Sequence, residues 1–169
     1  MEWKNKMKSF KRIISLLILC LIFLSACGAD QWVTYTNANR SVSFSYYSKS
    51  DKMSAFEAED IYGVYRSGLF TVSITLQGGS RDMDQMTKSL ARYYTTEDVT
   101  VSTEYTEDLI DGNPCRRLPL SGEDIAEGGV LFFRNEHTDV FYCVYYSVSK
   151  NASLEVITHV HEILKSIKF

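Results

Sequence analysis

The stretch Val140-Phe141-Tyr142-Cys143-Val144-Tyr145-Tyr146-Ser147-Val148 is apolar almost throughout. Successive side chains of a strand point to opposite faces. One face would therefore carry Phe141, Cys143 and Tyr145, and the other Val140, Tyr142, Val144, Tyr146 and Val148. A strand with two apolar faces is typical of the middle of a sheet that is covered on both sides. The stretch predicts a central strand with other elements packed above and below it.

Further strands precede this one, and short turns join them. Asp111-Gly112 is a strong hairpin signal, because both residues tolerate a positive φ. Two stretches lack a regular pattern: Ser48 to Glu59 predicts a loop with one helical turn, and Ser121 to Gly129 predicts an acidic loop. Strand composition and alternation predict strands over residues 32–35, 41–46, 60–66, 69–77, 99–105, 115–120, 130–134 and 140–148.

Two apolar stripes with helical spacing predict two helices. Ser80 can cap the first, which runs to about Tyr94, and Asn151 can cap the second, which closes the chain. The stripe of the first helix is Met83, Met86, Leu90 and Tyr93, and that of the second is Val156, Val160, Ile163 and Ile167. The predicted fold class is therefore α+β, an antiparallel β-sheet with helices packed on it.

The first 26 residues have the three parts of a secretory signal. Residues 1–12 carry five basic residues and one acidic residue, and residues 13–24 form an apolar run interrupted by Ser15. This run is too short for a comfortable membrane span, which needs about 20 apolar residues. We therefore expect residues 1–26 to be a signal peptide, residues 27–31 to be a lipidated Cys27 with a short spacer, and residues 32–169 to be a single domain.

Leu24-Ser25-Ala26-Cys27, at the end of the apolar run, resembles the lipobox of bacterial lipoprotein precursors. The resemblance implies cleavage just before Cys27 and a diacylglyceryl thioether on its sulfur. Two or more acyl chains hold a protein stably on a membrane, whereas one holds it only marginally. We expect a protein that is lipid-anchored at the cell membrane and faces outside the cytoplasm. The alternatives are an ordinary secretory signal that ends in Cys and an uncleaved anchor helix.

The mature chain that such cleavage would leave is acidic. The signal takes with it five of the 18 basic residues and one of the 21 acidic ones, which leaves 13 and 20 and a formal charge of −7. This charge disfavours binding to nucleic acid and to an anionic membrane surface. We therefore expect no nucleic-acid partner, and a membrane attachment that depends on lipid and not on charge.

Two cysteines remain once Cys20 leaves with the signal and Cys27 is acylated. They are Cys115 and Cys143, which both lie in predicted strands with another strand between them. A disulfide is possible outside the cytoplasm, but it needs Cα atoms within about 7 Å of each other. Two buried free thiols are the favoured interpretation, and a disulfide is the alternative.

Three segments resemble the PsbP-like family, which includes the photosystem II oxygen-evolving accessory protein, the Ran-binding Mog proteins and small bacterial lipoproteins. They are Val42-Ser43-Phe44-Ser45-Tyr46, Ile110-Asp111-Gly112-Asn113-Pro114 and Ile163-Leu164-Lys165-Ser166-Ile167-Lys168-Phe169. The resemblance spans nearly all of the mature domain and implies an α/β/α sandwich. The chain departs from the family at Tyr47, where a Pro often follows the first long strand. The family has no shared catalytic motif, so the resemblance implies neither catalytic residues nor a cofactor.

The candidate metal ligands do not form a set. His137 lies in a predicted turn, and His159 and His161 diverge by about 200° on the closing helix. Acidic clusters could bind a hard cation through oxygen, but none has the spacing of a calcium loop and solvated loops are the favoured interpretation. These clusters are Glu57, Glu59 and Asp60; Glu104, Glu107, Asp108 and Asp111; and Glu123, Asp124 and Glu127. We expect no metal site.

No residue pattern predicts nucleophilic catalysis. Thiols that are buried in strands are usually inert, and the chain has no Gly-x-Ser-x-Gly elbow. Gly78-Gly79-Ser80 could hold an anion at a helix start, but Asp82 and Asp84 would repel it. Several tyrosines could form an aromatic surface for a peptide or glycan, or could bury their rings in the strands; they are Tyr62, Tyr65, Tyr142, Tyr145 and Tyr146.

These observations favour a lipid-anchored binding or accessory module without catalytic activity, whose partner is an envelope protein or a glycan. The alternative is a carrier of a small ligand or cation, with a pocket between the sheet and a helix. An enzyme is the third hypothesis, and it would need a Ser–His or Cys–His pair in a polar pocket.

Overall fold

A computed structural model of the chain describes residues 31–37, 41–48, 52–55, 61–78, 82–135 and 140–169. The predicted signal peptide and Cys27 lie outside these residues. Trp32–Phe169 form one compact unit. Its elements are β1 (Trp32–Thr36), β2 (Ser43–Tyr47), β3 (Lys52–Ala55), β4 (Ile61–Arg66), β5 (Phe70–Gly78), α1 (Met83–Tyr94), β6 (Val99–Val101), β7 (Thr106–Ile110), β8 (Asn113–Gly122), β9 (Ile125–Asn135), β10 (Val140–Ser149) and α2 (Leu154–Ser166).

Within the described residues, the main sheet is antiparallel and has eight strands. Their order is β3-β4-β5-β10-β9-β8-β6, and β7 also pairs with β8. Strand β10 is hydrogen-bonded to β5 on one side and to β9 on the other, so the tyrosine-rich strand lies in the middle of the sheet. The predicted fold class, an antiparallel sheet with helices packed on it, is confirmed. Strands β1 and β2 pair with each other in a separate two-stranded sheet.

Each face of β10 supports a core cluster of its own. On one face, Phe141 and Cys143 pack in a cluster that α1 covers with Met86 and Leu90. The cluster on the other face combines residues of β10 and α2, namely Tyr142, Val144, Tyr146 and Val148 with Val156, Val160 and Ile163. The two helices therefore cover opposite faces, as the resemblance to the PsbP-like family implies. Full burial of one such aliphatic or aromatic side chain stabilises a fold by about 1.5–3 kcal/mol.

The structure corrects two predicted loops. Lys52–Ala55 form strand β3, which pairs with β4, where a loop with a helical turn was expected. The predicted acidic loop over Ser121 to Gly129 is a tight turn at Glu123-Asp124 between long strands. Gly129 lies inside β9, opposite Tyr146 of β10, and a Cβ at this position would be 3.0 Å from the ring of Tyr146. Such a glycine permits close packing inside a ladder, although glycine usually signals a turn.

The predicted strand over Val99 to Tyr105 is also corrected. It ends at Val101, and a separate strand, β7, begins at Thr106. Both β6 and β7 pair with β8, at different parts of its length. Two short strands, β6 and β7, thus share one edge of β8. The alternation of side chains in the sequence does not distinguish two such strands from one longer strand.

Both helices begin later than the predicted caps. Asp82, and not Ser80, caps α1 by accepting a hydrogen bond from the backbone N–H of Asp84 at 2.8 Å. Ser153, and not Asn151, caps α2. The stripe of α2 is buried as predicted, but Tyr93 of the α1 stripe is 69% exposed. Thr87 and Ala91 are buried on α1 together with Met86 and Leu90, so the buried face of the helix is turned toward these smaller residues.

The three segments that resemble the PsbP-like family meet in space. The backbones of Ser43 and Lys168 exchange two hydrogen bonds, of 3.0 and 2.8 Å. Asp111, in the predicted hairpin turn, has a φ of 49° and Gly112 a φ of 75°, as that turn requires. The carboxylate of Asp111 accepts hydrogen bonds from Lys168 Nζ at 2.7 Å and from the backbone N–H of Phe169 at 2.9 Å. The C-terminal segment therefore ties the β7–β8 turn to β2.

These contacts shift the pKa of Asp111. Burial of its carboxyl raises the pKa, but the hydrogen bonds from Lys168 and Phe169 and the charge of Lys168 outweigh burial, and the net pKa is lowered. A lowered folded-state pKa means that the carboxylate contributes stability above about pH 4, its ordinary pKa. This contribution is lost as the pH falls through the folded-state pKa.

Asp111→Asn should weaken the fold near neutral pH and flatten its dependence on acid. Asparagine tolerates the positive φ but lacks the charge that Lys168 and Phe169 stabilise. We expect the free energy of unfolding to fall by about 1–2 kcal/mol at neutral pH. The further loss on acidification should be smaller than in the wild type, as measured by urea unfolding across the acid range. Parallel pH profiles for the two proteins would contradict this role of Asp111.

Candidate functional site

A cleft of about 360 Å³ lies between the main sheet and α2. Strands β7, β8 and β9 form one wall, and the second half of α2 forms the other. Its lining residues are Asp108, Leu109, Ile110, Arg117, Glu127, Leu131, His161, Leu164 and Lys165. The cleft therefore combines charged side chains with an apolar floor, a composition common in small-molecule sites.

A chain of polar contacts connects the sheet to the helix across this cleft. Arg117 Nη2 lies 2.7 Å from Asp108 Oδ2, and Arg117 Nη1 donates to the hydroxyl of Tyr146 at 3.1 Å. The Tyr146 hydroxyl in turn donates to Glu127 Oε1 at 3.4 Å. Nε2 of His161 lies 3.0 Å from both carboxylate oxygens of Glu127. We call these five residues the cleft network.

Strand register explains why these side chains meet. Arg117 lies opposite Thr106 and Asp108 lies opposite Cys115, so Arg117 and Asp108 are diagonal neighbours on adjacent strands. Tyr146 rises from the same face of β10 that α2 covers, and its ring is buried. Residues separated by up to 53 positions, from Asp108 to His161, are thereby brought to one opening.

Burial changes the pKa of one member of the cleft network, Tyr146. It raises the pKa of Tyr146; Arg117 lowers that pKa and Glu127 raises it. The phenol is therefore neutral at physiological pH and acts as a hydrogen-bond donor to Glu127. The Arg117–Asp108 ion pair is about one-third exposed, since the two side chains are 35% and 34% accessible. Pairs of this exposure contribute little to stability, so the network orients its members more than it stabilises the fold.

A larger opening, of about 560 Å³, lies where the β4–β5 turn, the β8–β9 turn and the segment before α2 approach one another. It is lined by turn residues and by the ends of four strands, and its charged lining residues are Arg66 and Asp124. The smaller cleft is the better candidate site, because there the charged groups come from four different elements and contact one another.

The histidines predicted as candidate ligands point to different surroundings. His137 lies outside the described residues. The ring of His159 packs against Tyr47, with ring centroids 4.4 Å apart, whereas His161 contacts Glu127 in the cleft. In the part of the chain that the structure describes, no three His, Cys, Asp or Glu side chains are grouped so that they could hold a metal ion.

Both thiols are free and buried, and they lie on opposite faces of the sheet. Cys115 belongs to the cluster under α2 and Cys143 to the cluster under α1, so a disulfide between them is excluded by the fold. Burial raises the pKa of Cys143 to about 12. Burial raises the pKa of Cys115 to about 12 as well, with a further increase from Asp108 and a decrease from Arg117. Neither thiol is activated as a nucleophile.

The acidic clusters and the tyrosines take several different roles. Glu57, Glu59 and Asp60 lie outside the described residues, as do Gly79 and Ser80. Asp108 and Glu127 belong to the cleft network, and Asp111 holds the C-terminal segment. Tyr142 and Tyr146 are buried, and Tyr145 stacks on Tyr94 with ring centroids 5.1 Å apart. These strand tyrosines pack in the interior and do not form a joint binding surface.

Sequence reasoning missed the cleft network. A signal was present, because Arg117 shares its strand face with Cys115 and thus places a charge on a side that packs inward. Such a residue needs a partner. Its partners come from β7 and β10, and no local pattern identifies them.

Comparison with known proteins identifies the fold. No protein-family model and no curated protein sequence matches the chain. The solution structure of cyanobacterial PsbP (CyanoP) from Synechocystis sp. PCC 6803 is similar, with a TM-score of 0.58 at 8% identity; the match covers 84% of this chain and 94% of CyanoP. The crystal structure of the Saccharomyces cerevisiae Ran-binding protein Mog1p gives a TM-score of 0.50 at 9% identity, covering 83% and 96% of the two chains.

The chain has the PsbP/Mog1p-like fold. At these identities the similarity establishes the fold and leaves function open. Among the described residues, neither helix of this PsbP/Mog1p-like domain is long and apolar enough to cross a membrane.

Native Cys115 and Cys143 should resist alkylation by iodoacetamide at mildly alkaline pH and should react quickly in urea. With a pKa raised from 9.0 to about 12, each thiol has a thiolate fraction on the order of a thousandfold smaller than an ordinary cysteine. Peptide mass mapping reads the two sites separately, and the urea-treated sample is the control. Fast labelling of either thiol in the folded protein would contradict its burial.

Proposed function

We propose that this protein is a lipid-anchored, extracytoplasmic binding or accessory module without catalytic activity. Acyl chains on Cys27 hold it at the cell membrane, and the PsbP/Mog1p-like domain faces outward from the cytoplasm. Its partner is an envelope protein or a glycan, which it meets through the surface of this domain.

The position of Cys27 carries the proposal. Cys27 ends the apolar run of the signal and precedes Trp32, where β1 and the compact unit begin, by five residues. Cleavage just before Cys27 would remove residues 1–26 and leave every described strand and helix in the mature protein. Two or more acyl chains, at about 0.8 kcal/mol per buried CH₂, are sufficient for stable attachment.

Two features support a binding role over a catalytic one. Burial keeps the thiols of Cys115 and Cys143 neutral, and the charged groups of the cleft network are paired with one another. Mog1p, which has the same fold, is a Ran-binding protein. Mog1p is therefore a precedent for a binding role on this fold, but at 9% sequence identity its partner cannot be assigned to this protein.

Cys27→Ala should abolish lipid attachment, because the thioether sulfur is lost. We expect the variant to incorporate no labelled fatty acid and to leave the membrane fraction or accumulate unprocessed. Cys20→Ala is the matched control, since it also removes a signal cysteine but keeps Leu24-Ser25-Ala26-Cys27. Continued fractionation of Cys27→Ala with membranes, without labelled fatty acid, would show that the anchor lies elsewhere. In a separate experiment, crosslinking and pull-down from intact cells identify the partner, with the same two variants for comparison.

The cleft favours a second candidate function, a carrier of a small ligand. Its volume of about 360 Å³ suits a small metabolite, and charged and apolar groups line it together. A cation would have to compete with Arg117 for Asp108 and with His161 for Glu127. An organic ligand with a polar group at one end fits this arrangement better than a bare ion.

Thermal-shift measurements across metals and metabolites test this second candidate. A ligand at about a hundredfold excess over its Kd stabilises the folded state by about 2.7 kcal/mol, which raises Tm by several degrees. Glu127→Gln should lose most of that shift, because it removes the charge that Tyr146 and His161 contact in the cleft. Glu123→Gln, at the exposed β8–β9 turn, should retain it. An equal shift in both variants would place the ligand outside the cleft.

A further inference from the structure

A group of three aromatic rings lies where β1 begins. Trp32, the first residue of β1, is paired with Tyr47 of β2, and their rings are nearly perpendicular with centroids 5.3 Å apart. His159 of α2 completes the group, with its ring 5.4 Å from Trp32 and 4.4 Å from Tyr47. We call these residues the aromatic corner. The side chain of Trp32 nevertheless remains 42% exposed.

The aromatic corner holds this exposed indole on rigid elements. Tyr47 is part of a paired strand, and His159 lies on the helix that covers the sheet. On the other face of the same small sheet, Tyr35 packs against buried Phe44. The position of Trp32 is therefore fixed relative to the domain, and its exposure does not result from a loose chain end.

The length of chain between the anchor and this corner is short. Five residue steps separate Cys27 from Trp32, and a fully extended chain spans at most about 3.6 Å per residue, or about 18 Å in total. The headgroup region on each side of a bilayer is about 5–8 Å thick, since the hydrocarbon core of about 30 Å lies within a total of about 40–45 Å. A domain whose acylated Cys27 is in the bilayer must keep Trp32 close to the headgroups.

We propose that the aromatic corner docks on the same bilayer that holds the anchor, with the indole of Trp32 in the headgroup region. This inference rests on the lipid anchor of the proposed function. Indole has an apolar ring and an N–H donor, and tryptophan is enriched at membrane–water interfaces for that reason. Docking gives the domain one orientation on the membrane, whereas an acylated spacer alone would let it rotate freely.

The net charge of the domain indicates that the membrane contact is made by the aromatic rings and not by charged side chains. The mature chain carries a formal charge of −7, so an anionic bilayer repels the domain as a whole. A docking contact made by Trp32 and its aromatic neighbours should therefore form on zwitterionic lipid, and added anionic lipid should not strengthen it. High salt should not release it, since no attraction between opposite charges is involved.

Trp32 fluorescence tests the proposal directly. The chain has two tryptophans, Trp3 and Trp32, and processing before Cys27 leaves Trp32 alone. The lipoprotein purified from cells is reconstituted in phosphatidylcholine vesicles, with and without phosphatidylglycerol. We expect the emission to shift to shorter wavelength, to be quenched by phosphatidylcholine with brominated acyl chains, and to be protected from aqueous acrylamide. These effects should be similar in both vesicle compositions.

A reporter on the opposite side of the domain provides the matched control. Cys115 and Cys143 are buried, so in the variant Tyr93→Cys, which keeps Trp32, a thiol-reactive fluorophore that acrylamide quenches labels position 93 in the folded protein. This fluorophore lies on an exposed position of α1, which covers the face of the sheet opposite to α2. Its emission should remain accessible to acrylamide and unaffected by brominated lipid. Quenching at both reporter positions would overturn a single docked orientation.

Three further outcomes would overturn the proposal, and they are distinguishable. If the mass of Cys27 shows acyl chains and Trp32 is still unquenched and open to acrylamide, the anchor stands and the docking is wrong. If Cys27 carries no acyl chain, the proposed anchor fails and the docking fails with it. A change in Trp32 emission caused by soluble glycan fragments, and not by lipid, would assign the aromatic corner to a glycan instead.

Discussion

The fold depends on the burial of both faces of β10. A strand that is apolar on two sides loses stability wherever either side meets water, so it needs neighbours in the sheet and a layer above and below it. Strands β5 and β9 provide the neighbours, and α1 and α2 provide the layers. The same burial keeps Cys143 neutral and encloses Tyr146, whose hydroxyl joins Arg117 to Glu127 in the middle of the cleft network. Packing and site chemistry therefore have a common origin.

A second constraint closes the domain at its C-terminus. Lys168, which follows α2, pairs with Ser43 through two backbone hydrogen bonds. Lys168 and Phe169 also donate hydrogen bonds to the carboxylate of Asp111. Phe169 packs on Phe133 and Tyr142, with ring centroids 5.1 and 4.7 Å apart. The short segments that resemble the PsbP-like family are thus parts of one junction. Three brief motifs that are far apart in sequence are thereby joined by direct contacts.

In our proposals, the fold and the function depend on different parts of the chain. At identities of 8% and 9% to CyanoP and Mog1p, the shared architecture says little about what each domain contacts. In our proposals the particular role of this protein comes from Cys27 and from Trp32, one just before the folded domain and the other at its first strand. The cleft network is a third individual feature. Anchor, aromatic corner and cleft would together determine which surface of the domain is left for a partner.

The sequence by itself determined what depends on neighbouring residues: the strand period of 140–148, the stripe of α2 and the positive-φ turn at Asp111-Gly112. Tertiary structure decided the rest. Strand β3 forms through its pairing with β4, and Gly129 lies in a ladder opposite Tyr146, whose ring leaves little room for a side chain there. The cleft network could not be predicted from the sequence, since its five members lie on five elements that only the register of the sheet and the placement of α2 bring together. Periodicity and turn chemistry act over a few residues, whereas a site assembled across strands depends on contacts that no local pattern records.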